Sequence, residues 1–192
     1  MDEQGNLVDG DKIIAALALD MKEKGELPGD AAVVTVMSNL GFFRCCEENG
    51  IAAVSTKVGD RYVLEEMVKS GYMIGGEQSG HIIFLKHATT GDGQMSAIKL
   101  LSACREKGWK LSRLAGVMER YPQVMLNVRA TAEQKAKYAA DEKLAAQIKA
   151  AGDSLGRDGR VLVRVSGTEP LLRVMVEGKD FDTINDLAVD LA

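Results

Sequence analysis

Residues 75–81 (GGEQSGH) place an acid, a serine and a histidine among three glycines, between two apolar segments. Glycine lets the backbone turn sharply and approach a ligand closely. Glu77 offers carboxylate oxygens to vicinal hydroxyls, and the Ser79 hydroxyl can both donate and accept. His81 could exchange a proton near neutral pH. The stretch is a candidate sugar-binding loop, and the alternative is a tight hairpin with incidental polar residues.

Residues 164–170 (RVSGTEP) form a second candidate site, which is followed by Arg173. A Ser-Gly-Thr turn presents two hydroxyls and successive backbone N–H groups, which together can bind an anion. Arginines on the two flanking strands can add bidentate contacts to phosphate oxygens. The residues predicted to contact a phosphate are Arg164, Ser166, Gly167, Thr168 and Arg173. The alternative is a hairpin whose arginines pair with acids such as Glu169 and Glu177.

A sugar loop in one domain and a phosphate loop in the next predict a sugar phosphate held in an interdomain cleft, where ligand sites are frequent. The phosphate loop lacks the Walker pattern, so a nucleotide P-loop is not supported. The acids of Asp9-Gly10-Asp11 precede a helix, where acids more often cap than bind metal. We therefore expect Asp11 to be an N-cap and expect no metal site in this chain.

Composition limits the classes of partner. The net charge of −4 and the pI of about 5.3 argue against a nucleic-acid binder. No apolar run approaches the ~20 residues that cross a bilayer, and the polar start is unlike a signal peptide. Cys45, Cys46 and Cys104 match neither a disulfide framework nor a zinc spacing. We expect a cytoplasmic protein with no membrane partner and with reduced, apolar cysteines.

The first part of the chain alternates short apolar strands with helices, which is typical of βαβ units and a largely parallel sheet. Strands are predicted at 31–37, 51–57, 72–74 and 81–85, and helices at 12–24, 40–48, 61–69, 93–106 and 111–118. The helix at 93–106 is expected to bury an apolar face made of Met95, Ile98, Leu101 and Cys104.

The pattern changes near residue 120. A strand (124–129), one long helix (131–150), two strands (161–165 and 171–176) and a last helix from residue 182 predict a smaller α+β domain. The expected domains are residues 1–119 and 120–192, and about the first ten residues are interpreted as a remnant of a preceding domain.

Five segments in the same order resemble the phosphoglucosamine mutases of the α-D-phosphohexomutase superfamily. They are VMSNLGF (36–42), KVGDRYVLEEM (57–67), GEQSGH (76–81), TTGDG (89–93) and RVSGTEPLLRVMVEG (164–178). The resemblance covers essentially the whole chain. It implies an α/β fold, with a βαβ-type mixed-sheet domain followed by a smaller α+β domain like the TATA-binding protein. These would be the third and fourth domains of the family.

The resemblance also implies roles for individual residues. Glu77 and Ser79 would bind sugar hydroxyls, and His81 would be a possible proton-transfer group. Asp60 and Arg61 resemble cleft-lining residues that help to choose the substrate. The RVSGTEP turn resembles the family's phosphate-binding loop. Where many members carry proline after the arginine, this chain has valine at position 165, which should affect loop stiffness more than chemistry.

For the whole enzyme, the resemblance implies interconversion of glucosamine 6-phosphate and glucosamine 1-phosphate, toward UDP-N-acetylglucosamine and cell wall. Family members use a phosphoserine loop and a Mg²⁺-binding loop in their first two domains, and neither pattern occurs in this sequence. We therefore expect a C-terminal half that recognises hexosamine phosphate, needs the N-terminal domains and is inactive alone. The alternatives are a phosphomannomutase/phosphoglucomutase fragment and a non-catalytic sugar-phosphate-binding module.

Overall fold

The computed structural model describes residues 1–138, 140–167 and 169–192. The chain divides into two compact units, Met1–Arg120 and Tyr121–Ala192. None of the helices in the described ranges combines the length and apolar character that a membrane-crossing helix needs.

The first unit is built on a four-stranded mixed sheet with the order β2-β1-β3-β4. β1 pairs in parallel with β2 and β3, whereas β3 and β4 are antiparallel. The strands are β1 (Ala31–Thr35), β2 (Ala52–Thr56), β3 (Ile74–Gly76) and β4 (Ile82–Phe84), and the helices are α1 (Gly10–Glu23), α2 (Leu40–Glu48), α3 (Asp60–Ser70), α4 (Gly93–Lys107) and α5 (Leu111–Ala115). The predicted α/β class with a mixed sheet is confirmed. The antiparallel β3–β4 pair is the departure from the largely parallel arrangement, because the turn between them is too short for a crossover.

The start of α1 differs from the prediction. Asp9, not Asp11, is the N-cap, and its Oδ1 accepts from the backbone N of Lys12 at 3.0 Å. Asp11 lies inside the helix and is fully buried, where its Oδ2 accepts from the backbone N of Asn39 at 2.7 Å. The prediction was wrong because Asp11 binds a donor 28 residues away along the chain.

The buried face of α4 also differs from the prediction. Its buried residues are Ser96, Leu100 and Ala103. Ile98 and Leu101 are 61% and 65% exposed, although Met95 and Cys104 pack partly against the core. Apolar residues occur on more than one side of this helix, so their spacing predicted the helix correctly but not its rotation about its axis.

The second unit is a three-stranded antiparallel sheet with the order β5-β7-β6. Its elements are β5 (Gln123–Arg129), α6 (Ala132–Tyr138), α7 (Glu142–Leu155), β6 (Gly159–Val165), β7 (Leu171–Gly178) and α8 (Phe181–Asp190). Its core is formed by Val124, Val174, Val176, Ile184 and Ala188. This architecture confirms the predicted α+β class of the smaller unit.

The single helix expected over 131–150 is instead two helices, α6 and α7. Asp141 caps α7, because its Oδ1 accepts from the backbone N of Leu144 at 3.0 Å. A short acidic side chain offers backbone N–H groups an alternative to a continuing helix. The lysine- and alanine-rich composition therefore predicted helix but missed this second start.

Candidate functional site

The glycine-rich stretch is a hairpin that joins β3 to β4. The backbone N of Glu77 donates to the His81 carbonyl at 3.0 Å, and the backbone N of Gly80 donates to the Glu77 carbonyl at 2.9 Å. Gly80 has a φ of 99°, a backbone conformation that glycine adopts without strain. Ser79 lies exposed at the tip of the turn. Its hydroxyl is therefore accessible to a ligand.

The start of α1 supports this hairpin from behind. The backbone N of Gly10 donates to the Gln78 carbonyl at 2.9 Å. A Cβ at position 10 would overlap the Glu77 carbonyl, so only glycine permits this approach. The Asp9-Gly10-Asp11 segment thus positions the hairpin.

The Glu77 side chain is half-buried and faces the start of α3. Its Oε1 accepts from the backbone N of Gly59 at 3.1 Å. Its Oε2 makes no hydrogen bond within the described parts of the chain. One carboxylate oxygen is held in place, and the other can accept from a hydroxyl.

The His81 ring lies between two other loops. Its Nε2 accepts from the backbone N of Gly91 at 3.2 Å and lies 3.3 Å from Oδ2 of Asp60. A Cβ at position 91 would lie about 2.7 Å from this ring. Because Nε2 can accept only when it is unprotonated, the Gly91 contact requires the proton on Nδ1. The His81 ring thus lies against both the Gly91 loop and the start of α3.

Asp60 and Arg61 were also predicted to line the site in the first unit, but only Asp60 contacts the His81 ring. Asp60 begins α3 and reaches His81. The Arg61 side chain is 80% exposed, and its Nε binds Oε1 of Glu65 on the same helix at 2.7 Å. Within this structure, the Arg61 guanidinium is thus committed to its own helix.

The second predicted loop connects β6 to β7. The backbone N of Ser166 donates to the Leu171 carbonyl at 3.0 Å, and the Ser166 Oγ accepts from the backbone N of Glu169 at 3.2 Å. Ser166 is only 3% exposed, whereas Gly167 is exposed. Thr168 lies outside the described residues. The Ser166 hydroxyl therefore stabilises the shape of the turn.

Arg164 and Arg173 are direct partners in the antiparallel β6–β7 pair. Their Nε atoms are both buried, and neither has an acceptor among the described residues. Burial and the neighbouring Arg173 charge lower the pKa of Arg164. The pair thus has donors in excess at the base of the turn, as an anion site needs.

The acids proposed as alternative partners of these arginines behave differently. Glu169 Oε2 binds Nη2 of Arg173 at 2.5 Å, so part of the Arg173 guanidinium is already paired. Glu177 is fully buried and binds Nε of Arg160 at 2.6 Å. The expectation that such acids pair with the loop arginines is therefore right for Glu169 and wrong for Glu177, because Glu177 lies beside Arg160 in the sheet register.

The sequence analysis assigned no role to two residues that shape these loops, Gly91 of the TTGDG segment and Lys135. The Lys135 Nζ donates to the carbonyls of Ser166 and Glu169, at 2.8 and 2.9 Å. Both hydrogen bonds of Lys135 join distant parts of the chain, so no local sequence motif indicates them. The available signal was the three-residue spacing of Lys135 and Tyr138, which places them on one helical face. Both are half-buried in the structure.

Two models of one protein family match this chain. The family model described as phosphoglucomutase/phosphomannomutase, alpha/beta/alpha domain III, matches residues 9–121. The C-terminal domain of the same family matches residues 125–192. The chain belongs to the phosphoglucomutase/phosphomannomutase family. The matched domains confirm the predicted position in the C-terminal part of such proteins.

Several bacterial relatives in this phosphoglucomutase/phosphomannomutase family are described as phosphoglucosamine mutase. The one from Thermoanaerobacter sp. (strain X514) is 55% identical over 192 residues, and the one from Clostridium acetobutylicum is 52% identical over the same length. Each alignment covers 100% of this chain and 43% of the relative. The chain therefore spans less than half the length of these relatives.

Solved structures agree with the family fold. The Aspergillus fumigatus N-acetylphosphoglucosamine mutase, in complex with GlcNAc-6P and magnesium, matches with a TM-score of 0.76 and 21% identity, over 100% of this chain and 45% of that one. A phosphoglucomutase/phosphomannomutase family protein from Burkholderia thailandensis matches with a TM-score of 0.77 and 20% identity, over 97% of this chain and 41% of that one. At these identities the likeness concerns the fold.

The acids at the start of α1 stabilise the fold in this structure. Both the capping carboxylate of Asp9 and the buried carboxylate of Asp11 already accept from backbone N–H groups. Mg²⁺ requires several oxygen ligands in near-octahedral geometry. Across the described ranges, no group of three or more His, Cys, Asp or Glu side chains has the arrangement of a metal site.

Proposed function

We propose that this chain recognises the sugar and the phosphate of a hexosamine phosphate for a phosphoglucosamine mutase, which interconverts glucosamine 6-phosphate and glucosamine 1-phosphate. The proposal is supported by identities of 50–55% to phosphoglucosamine mutases along the whole chain. We further propose that residues 1–119 and 120–192 of the chain are its two functional domains and that the protein works in the cytoplasm.

The observation that carries this proposal is the cross-strand pair of Arg164 and Arg173. Two adjacent guanidinium groups with buried, unpaired Nε atoms are unfavourable unless an anion joins them. Phosphate fits because its oxygens can accept from both groups at once. Ser166, Gly167 and Thr168 would complete the loop, with Gly167 offering its backbone N–H.

In the sugar loop, we assign Glu77 and Ser79 to the hydroxyls of the ring. The free Oε2 of Glu77 and the exposed hydroxyl of Ser79 are both able to bind them. Asp60 and His81 are assigned to the edge of this site, where His81 would transfer a proton. Arg61 would help to choose the substrate only after leaving Glu65, to which it is bound in this structure.

The phosphoryl transfer itself is assigned to the part of the relatives that this chain does not span. There a phosphoserine would donate its group, a sugar bisphosphate would form, and Mg²⁺ would neutralise developing charge. The chain would contribute positioning, and we propose that it has no mutase activity alone.

Two measurements on the purified chain test this proposal. In an NMR titration, glucosamine 6-phosphate is expected to shift the amides of Glu77, Ser79 and Gly167 with saturation. In an assay with Mg²⁺ and a bisphosphate activator, no turnover is expected. Turnover like that of a complete enzyme would overturn the assignment of the chemistry to the rest of the protein, and absence of saturable binding would overturn the recognition role.

The substrate preference is tested in the same titration with mannose 6-phosphate and glucose 6-phosphate. Glucosamine 6-phosphate is expected to bind most tightly. Equal or tighter binding of the other two would instead favour a phosphomannomutase/phosphoglucomutase.

A further inference from the structure

A lysine outside both predicted loops connects the two ends of the phosphate loop. The Lys135 Nζ donates to the Ser166 carbonyl at 2.8 Å and to the Glu169 carbonyl at 2.9 Å. The side chain is half-buried. Two hydrogen bonds from one ammonium group therefore connect the first and last parts of the turn.

The helix that carries Lys135 is itself fixed at both ends. At its start, the backbone N of Thr131 donates to Oε1 of Gln134 at 2.8 Å, and the backbone N of Gln134 donates to Oγ1 of Thr131 at 3.2 Å. This reciprocal pair is a capping box. At its end, the hydroxyl of Tyr138 donates to the Val163 carbonyl at 2.9 Å. Lys135 thus reaches the loop from a defined position.

The geometry of the peptide bond gives this contact a consequence for ligand binding. The Ser166 carbonyl and the Gly167 N–H belong to one planar trans peptide group, so they point in opposite directions. When Lys135 holds the carbonyl, the Gly167 N–H must face the other side of the loop. A carbonyl that turned toward the ligand would present negative charge to an anion.

We propose that Lys135 is a positioning residue of the phosphate loop, which directs the Gly167 N–H toward the bound anion. This inference rests on the proposed phosphate role of the loop. Lys135 does not itself touch the ligand. It keeps the Ser166 and Glu169 carbonyls away from the anion, and its charge adds to the positive potential of the loop.

The test is a titration of the ¹⁵N-labelled chain with inorganic phosphate, followed at the amides of the loop. Lys135→Met keeps the apolar stem but removes the donors, and it is expected to raise the Kd about tenfold, as loss of roughly one charged hydrogen bond implies. Lys135→Arg restores charge and donors and should return the Kd to within about threefold of the unaltered value.

A matched control separates this role from general charge. Lys137 lies on the same helix, and its Nζ pairs with Oε1 of Glu133 at 3.0 Å on the exposed side. Lys137→Met removes the same charge and should change the Kd less than about twofold. In the ligand-free protein, the Gly167 amide signal should move in Lys135→Met and remain in place in Lys137→Met.

The outcomes distinguish the two proposals. If the unaltered chain shows no saturable phosphate binding at the loop, the proposed function fails and this inference fails with it. If the unaltered chain binds phosphate and Lys135→Met binds it equally well, the positioning role alone is overturned. Should Lys135→Met fail to fold, Lys135→Leu, which also lacks a donor, replaces it in the same titration with the same expectation and the same overturning result.

Discussion

Arg164 and Arg173 lie directly opposite each other in neighbouring antiparallel strands, and each has a buried Nε without an acceptor among the described residues. Directly opposed like charges destabilise a sheet. Glu169 offsets this repulsion from one side only, through its contact with Arg173. Burial, together with the repulsion from the Arg173 charge, lowers the pKa of Arg164. Under the proposed phosphate role, this arrangement, unfavourable in the free protein, would become favourable when an anion binds.

Replacement of Arg164 should therefore affect binding and stability in opposite directions. Arg164→Ala is expected to weaken phosphate binding by at least about tenfold, because a charge-assisted contact is lost. It should raise the free energy of unfolding by up to about 1 kcal/mol, because the repulsion with Arg173 is removed. NMR titration and chemical denaturation measure the two effects.

The control for this variant is Lys143→Ala, which removes one positive charge from an exposed position of α7. It should leave the phosphate Kd unchanged within about twofold. Unaltered phosphate affinity in Arg164→Ala would remove this arginine from the site.

Substitution of Gly91 should disturb the sugar loop through His81. In Gly91→Ala, the new methyl group would overlap the His81 ring, so the ring must leave its place beside Gly91 and Asp60. The cost is expected to be about 1–3 kcal/mol, as for other overpacked positions. Weaker binding of glucosamine 6-phosphate and altered His81 ring signals in NMR spectra are the expected readouts.

Gly93 provides the comparison, because a Cβ at that position meets no atom within 4 Å and the residue begins α4. Gly93→Ala should fold and bind like the unaltered chain, since alanine is a better helix former than glycine. Similar effects of the two substitutions would argue against the specific role of the ring contact.

Asp11 should be important for stability. Its buried Oδ2 accepts from the backbone N of Asn39, which in turn caps α2. Asp11→Ala leaves this buried donor unpaired and should lower the free energy of unfolding by about 2–3 kcal/mol. Asp9→Ala removes the cap of α1 and a long ion pair with Nε of Arg120 at 3.9 Å, and should cost about 1 kcal/mol. Chemical denaturation measures the free energy of unfolding of both variants. A larger loss in Asp9→Ala than in Asp11→Ala would contradict this expectation.

The buried cysteines predict a dependence on alkaline pH. Burial raises the pKa of Cys45 from the usual 9.0 to about 11, and that of Cys46 to about 12. Because these folded-state pKa values are raised, their contribution to stability is complete well below pH 9.0 and declines as pH rises toward 11 for Cys45 and toward 12 for Cys46. At pH 8 both thiols remain protonated in the folded chain.

Alkylation by a maleimide checks this expectation, since the thiolate is the reactive form. Cys104 is only half-buried and should react first, and Cys45 and Cys46 should react mainly after addition of denaturant. Equal rates for all three in the folded chain would contradict the buried positions.

Much of the fold was predictable because its signals are local. Short valine-rich runs gave strands such as β1, and helix ends at α2 and α3 followed from neighbouring residues. The rotation of α4 was not predictable, because apolar residues on several faces leave the buried side undetermined until the sheet is present. The break before α7 depends on one aspartate whose capping competes with helix continuation.

The sequence by itself determined the two loops, their order and the residue types that suit a sugar and a phosphate. Tertiary structure alone decided which groups hold those loops in shape. Asp11 meets Asn39 across 28 positions, and Lys135 meets Ser166 across 31. Such contacts arise when distant segments pack, so no spacing within a motif encodes them. The two arginines were visible in the sequence, but only the strand register brought them face to face.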